Sequence, residues 1–224
     1  MSQKQKNKAP RILFVDIETA PLISYTWDIW DVTIALNQIK SDWHILSWAA
    51  KWSDQKPNQV MYADQRNSKD VSNDKKMLEG IWKLLDEADF VVGQNSKKFD
   101  VKKLNARFIM HGMKPPSSYK QIDTLTIAKK YFAFTSNKLE YMSDKLCTKY
   151  KKLQHGKFPG FSMWKAVLAG NKEAWKEMEK YNKHDVLATE ELYYKLVAWD
   201  TSVNFAAYQD DMEHTCSCGH KEFE

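Results

Sequence analysis

Apolar residues first gather after a polar, lysine-rich leader at residues 1–10, which is expected to stay disordered outside the fold. Arg11-Ile-Leu-Phe-Val-Asp-Ile-Glu18 is a β-rich apolar run ending in acids, the pattern of a buried strand that carries charge to a sheet edge. Thr19 to Ser41 is irregular, with Pro21 and the aromatics Tyr25, Trp27 and Trp30, and predicts a loop or short helix. Trp43–Trp52 and Gln59–Ala63 predict two further strands, and the Ser-Asp-Gln-Lys-Pro-Asn turn between them makes the pair antiparallel.

From Asn73 the apolar positions Met77, Leu78, Ile81, Trp82, Leu84 and Leu85 recur at helical spacing, and Phe90-Val-Val-Gly93 returns to a strand. Asp100–His111 predicts a helix closed by Gly112 and Pro115, followed by a strand at Tyr119–Ile122 and a helix that Asp123 caps. Leu139–Tyr150 predicts another helix that includes Cys147, and Asn171–Trp199 a long helical stretch with a break near Tyr181. The sum is one α/β domain over residues 11–200, a five-stranded mixed sheet flanked by helices, with an appended tail at 201–224.

Composition narrows the class. Hydrophobic residues make up 43% of the 224 positions and charged residues 28%, with few Gly or Pro, which excludes collagen-like, low-complexity and wholly disordered chains. No apolar run reaches membrane-span length, so no membrane partner is expected, and with three cysteines and no disulfide framework a cytoplasmic location is expected. The net charge of +5 suits a polyanion partner without requiring one. All but three of the 34 basic residues are lysine, which favours contact with a nucleic-acid backbone over bidentate reading of bases.

The candidate chemistry lies in acids at element ends. Asp16 and Glu18 stand two apart on the first strand, so both side chains leave the same face of the sheet. Like charges placed side by side at the tip of a buried strand need a cation. Asn95-x-x-x-Phe99-Asp100 puts a third carboxylate at a helix start, and Tyr181-x-x-x-Asp185 puts a phenol and a fourth carboxylate on one helix face. Lys97, Lys98, Lys102, Lys103 and Arg107 flank Asp100, either as phosphate contacts or as a solvated helix face. Some aromatics among Tyr25, Trp27, Trp30, Trp43 and Trp52 offer stacking surfaces for bases, against a packing role for most of them. His184 points away from its neighbour Asp185 and is expected to be structural.

Asp-Ile-Glu-Thr at 16–19, Asn-x-x-x-Phe-Asp at 95–100 and Tyr-x-x-x-Asp at 181–185 resemble, in order and spacing, the three motifs of DnaQ-like DEDD 3′-to-5′ exonucleases. The resemblance covers residues 11 to about 199 and extends to Ile122-Asp-Thr-Leu125 and Ser136-Asn-Lys-Leu-Glu-Tyr141, similar to connecting segments in phage members and in proofreading domains of family B polymerases. Tyr181 stands four before Asp185, and Lys180 occupies the place where the other subtype carries His, so the chain resembles the DEDDy subgroup.

The resemblance implies a ribonuclease H-like three-layer fold, which the element order also suits. It implies two Mg²⁺ or Mn²⁺ ions held by Asp16, Glu18, Asp100 and Asp185, with Tyr181 orienting the attacking water and Thr19, Asn95 and Phe99 touching the terminal nucleotide. The implied activity is release of nucleotides from a 3′ end, with single-stranded DNA first among substrates and a polymerase as a partner in trans. A structure-selective endonuclease or ribonuclease on the same fold, and a catalytically weak nucleic-acid-binding scaffold, remain rival readings. The tail residues His214, Cys216, Cys218 and His220 offer zinc ligands, but structural zinc sites draw on two separated ligand pairs and no second Cys pair follows, so zinc is the weaker reading.

Overall fold

The computed structural model describes residues 9–151, 153, 157–208 and 216–218. Five strands form the main sheet: β1 (Ile12–Thr19), β4 (Ile45–Trp52), β5 (Met61–Asp64), β6 (Phe90–Gly93) and β7 (Lys120–Asp123). Their order is β5-β4-β1-β6-β7, with β1 innermost. It pairs antiparallel with β4 and parallel with β6, while β4–β5 is antiparallel and β6–β7 parallel, so the sheet is mixed as the sequence predicts.

Alternation along β1 divides the core. Leu13, Val15 and Ile17 pack with residues of α1 (Lys75–Asp86) and α2 (Asp100–Met110) on one face. Phe14 packs on the other face among residues of α3 (Thr124–Tyr131), α4 (Leu139–Leu146) and the long α6 (Lys172–Leu196). Asp16 and Glu18 share the parity of Phe14, so the period of two that buries one apolar set carries both acids to the face that α6 covers. This is the three-layer, ribonuclease H-like arrangement.

Four segments differ from the sequence-based expectation. The stretch after β1 contains two short strands, β2 (Ile23–Ser24) and β3 (Ile39–Ser41), paired as an antiparallel ribbon. Between them Tyr25, Trp27, Ile29 and Trp30 are exposed, Trp27 fully, with Asp28 and Asp31 interleaved. The fourth helix ends at Leu146 rather than Tyr150, because the amides of Thr148, Lys149 and Tyr150 all donate to the Glu191 carboxylate of α6 at 2.7–3.1 Å. Cys147 therefore caps that helix, in extended backbone, and is buried. A short helix, α5 (Ser162–Leu168), appears where the sequence shows no clear period. Finally, α6 runs unbroken through Tyr181, opened by Asn171, whose side chain accepts from the amides of Glu173 and Ala174.

Arg107 is also not a phosphate contact. It is 7% exposed and grips the buried Asp74 through Nη2 at 2.7 Å and Nε at 2.9 Å. Asp74 in turn accepts the first amide of β4, from Ile45, at 2.8 Å and stands 2.6 Å from His111 Nε2. The pair locks α2 to the start of β4.

Gly93 ends β6 where space is shortest, since a Cβ there would lie 2.6 Å from Ser96 Cβ and 3.1 Å from the Val15 carbonyl oxygen. Gly93→Ala is expected to destabilise the protein by about 1–3 kcal/mol, the range for overpacking a tight interior, measured as a shift in the urea midpoint. An unchanged midpoint would mean that Ser96 moves aside freely.

Candidate active site

The acids named by the sequence meet at the C-terminal end of β1. Asp16 and Glu18 come from β1, and Asp100 is the first residue of α2, its Oδ1 accepting the Ile17 amide of β1 at 3.1 Å. Asp185 comes from α6, one turn after Tyr181, whose phenol donates to its carboxylate. Glu18 and Asp100 are buried, while Asp16, Asp185 and Tyr181 are half-buried.

Two neutral donors hold the β1 pair. Asn182 Nδ2 donates to Asp16 Oδ2 at 2.5 Å, and its Oδ1 accepts from Ser47 Oγ of β4 at 2.9 Å. The Trp164 indole of α5 donates to Glu18. Sequence reasoning passes over both. Asn182 leaves one usable trace, a poor helix former in the middle of an amphipathic helix beside Tyr181. Trp164 leaves none, because its helix has no legible period.

The electrostatics follow from crowding. Asp16 is pushed well above the ordinary carboxylate range by burial and then by Asp185, Asp100 and Glu18, against the relief of the Asn182 bond. Burial, Asp185 and Asp100 push Glu18 up to about 8, and the Trp164 bond opposes them. Burial raises Asp100 to about 7 against the Ile17 amide, and raises Asp185 to about 7 against the Tyr181 bond. Burial and then the neighbouring Asp185, Glu18 and Asp16 drive the Tyr181 phenol far up, so it stays protonated and donating.

The remaining predicted residues sit around this cluster. Thr19 ends β1 just past a register shift, opposite Ile45. Asn95 adopts φ 61°, a left-handed turn that Asn tolerates better than most residues, and its amide donates to Asp123 Oδ1 at 2.9 Å. Asp123 caps α3 as expected, and it also pins the Asn95–Lys97 turn by accepting the Lys97 amide at 3.1 Å. Phe99 is 38% exposed beside Asp100, with Lys103 Nζ 5.2 Å from its ring centroid. Lys97, Lys98 and Lys102 are exposed, whereas Lys103 lies 3.6 Å over the Trp43 ring. His184 turns to the Lys151 carbonyl oxygen at 2.5 Å, and it shares with Tyr181, Asp185, Glu140 and Leu153 the wall of a cavity of about 110 Å³.

In the tail, Cys216 and Cys218 hold their sulfurs 3.0 Å apart, and the Ser217 carbonyl accepts the Phe205 amide at 2.7 Å. His214 and His220 lie outside the described residues, as do residues 1–8 of the leader. Among the described residues no three His, Cys, Asp or Glu side chains form a ready metal cage. The chemistry of the donor set nevertheless fits a hard divalent cation: four oxygen donors, each other's principal source of repulsion after burial around Asp16, with no soft ligand among them.

Because Glu18, Asp100 and Asp185 hold protons more tightly folded than unfolded, the folded state releases these between about pH 4, the ordinary carboxylate value, and about pH 8 for Glu18. Their contribution to stability is therefore complete below that window and declines as pH rises through it. In chelator, the melting temperature is expected to fall between pH 5 and pH 8, and Mn²⁺ is expected to restore most of the loss at pH 8. A flat profile that Mn²⁺ does not change would show that the acids do not share one field.

No helix among the described residues is long and apolar enough to cross a membrane. No curated protein sequence matches the chain. Among solved structures, the family B DNA polymerase from the hyperthermophilic archaeon Pyrobaculum calidifontis is similar over 84% of this chain and 25% of its own, with a TM-score of 0.59 and 16% identity. The chain thus spans about a quarter of that polymerase, and the likeness is one of fold. The sequence model of the RNase_H superfamily matches residues 13–197, and the chain belongs to that superfamily.

Proposed function

We propose that the chain is a metal-dependent 3′-to-5′ exonuclease that hydrolyses phosphodiester bonds at the 3′ end of DNA, preferably single-stranded. The observation that carries this reading is the convergence of four carboxylates from β1, α2 and α6, which raise one another's proton affinity around Asp16. Asp16, Glu18, Asp100 and Asp185 would hold two Mg²⁺ or Mn²⁺ ions, which supply an activated water and stabilise the leaving oxygen.

The protein's own groups do the rest. Tyr181, kept protonated by its surroundings, orients the attacking water with its phenol. Thr19, the Asn95 turn and the exposed ring of Phe99 receive the terminal nucleotide beside Asp100. The exposed Lys97, Lys98 and Lys102 attract the phosphate backbone. Similarity of fold to part of a DNA polymerase favours DNA over RNA and suggests a polymerase as partner in trans, with residues 11–200 as the catalytic unit.

The deciding experiment follows nucleotide release from single-stranded DNA labelled at either terminus, with Mg²⁺ or Mn²⁺. Release is expected from the 3′ end only and none in chelator. Asp16→Ala and Asp100→Ala are each expected to lose about 1000-fold or more in kcat while retaining the fold. Tyr181→Phe is expected to lower kcat about 100-fold, within the range for a group that acts on the reacting water, and to change KM little. Cleavage of circular strands would favour the endonuclease reading, and binding without hydrolysis by the native chain would favour the scaffold.

A further inference from the structure

Asn182 of α6 joins the catalytic strand and the neighbouring strand by hydrogen bonds at the acid cluster. It is fully buried, one residue after Tyr181 and three before Asp185. Asparagine is a poor helix former and costly to bury, so a buried one in mid-helix is kept only where its amide is satisfied on both sides. Here it is: Nδ2 donates to Asp16 Oδ2 at 2.5 Å and Oδ1 accepts Ser47 Oγ at 2.9 Å.

The orientation of that amide is chemically determined. As a cation ligand Asp16 is ionised and only accepts, so Nδ2 faces it, as in the structure, and the Ser47 hydroxyl then serves Oδ1 as donor. Ser47 is itself fully buried on β4, directly opposite Glu18 in the strand register, and also bonds the Tyr62 phenol. This hydroxyl therefore sets the amide plane, and the amide plane sets the rotation of the Asp16 carboxylate.

We infer that Asn182, anchored by Ser47, is a positioning residue that holds Asp16 by one oxygen and presents the other to a divalent cation. The inference rests on the proposed metal-dependent activity. A lysine or arginine in the same place would also hold Asp16, but it would cancel the charge that attracts the cation. A neutral amide fixes direction and leaves the charge intact.

The test is calorimetric titration of the full chain with Mn²⁺ alone, beside kinetics on single-stranded DNA and thermal melting. Asn182→Ala is expected to weaken Mn²⁺ binding by about 10–100-fold, the usual effect of losing a group that orients a metal ligand. In the same variant kcat at fixed Mn²⁺ should fall, partly restored by excess Mn²⁺, while KM for the oligonucleotide and its binding in chelator stay within about twofold of the native values. Ser47→Ala should act in the same direction by about threefold and add nothing in the Asn182→Ala background, since both act through one contact. It carries the test alone if Asn182→Ala does not fold.

Native Mn²⁺ affinity in both variants, accompanied only by a lower melting temperature, would reduce Asn182 to a structural role and overturn the inference while leaving the exonuclease reading standing. Absence of Mn²⁺ binding by the native chain would remove that reading, and the inference with it.

Discussion

The repulsion among four carboxylates at the end of one strand is the constraint around which this structure is arranged. Carboxylates near one another in a partly dry site favour their protonated forms, so the fold has to hold them by contacts that do not depend on their being neutralised. It does so with backbone and neutral side-chain donors: the Ile17 amide for Asp100, Asn182 for Asp16, Trp164 for Glu18 and Tyr181 for Asp185. No lysine or arginine is among these donors. Buried cations serve elsewhere, Arg107 on Asp74 and Lys51 on Glu190.

The division of labour among elements explains why the topology suits the site. The first strand lies inside the sheet and delivers two acids by simple alternation. The second helix begins just past the turn that follows β6, next to β1, and its first residue binds the Ile17 amide of β1. The last helix crosses the face on which Phe14, Asp16 and Glu18 stand and brings Tyr181, Asn182 and Asp185 within a turn and a half. Three regions far apart in the chain meet because the sheet order places β1 and β6 side by side.

Much of this was legible in the sequence, and the exceptions have physical reasons. Strong periodicity marked β1, β4, β6, α1 and α2, and the acids could be read because a buried strand has no structural use for charge at its tip. The end of α4 could not be read, since it is set by Glu191, more than forty residues away. Arg107 looked like one more cation beside Asp100, and only the long-range partner Asp74 reveals its burial. The break expected near Tyr181 is absent because α6 keeps an apolar face on the core through Met178, Val186 and Leu192. Asn182 and Trp164 act through tertiary contacts, and only Asn182 leaves a local trace, as a poor helix former in mid-helix.

The position of β1 has a kinetic side as well. Along Ile12–Phe14 the strand has hydrogen-bonded neighbours on both edges and helices over both faces, so this segment opens only with the domain, in contrast to an edge strand or a terminal turn, which frays on its own. Amide exchange at Leu13 and Phe14 is thus expected in the slowest class among the described residues. Asp16 and Glu18 follow directly on this doubly paired segment, so thermal inactivation of the site is expected to coincide with loss of the sheet's middle.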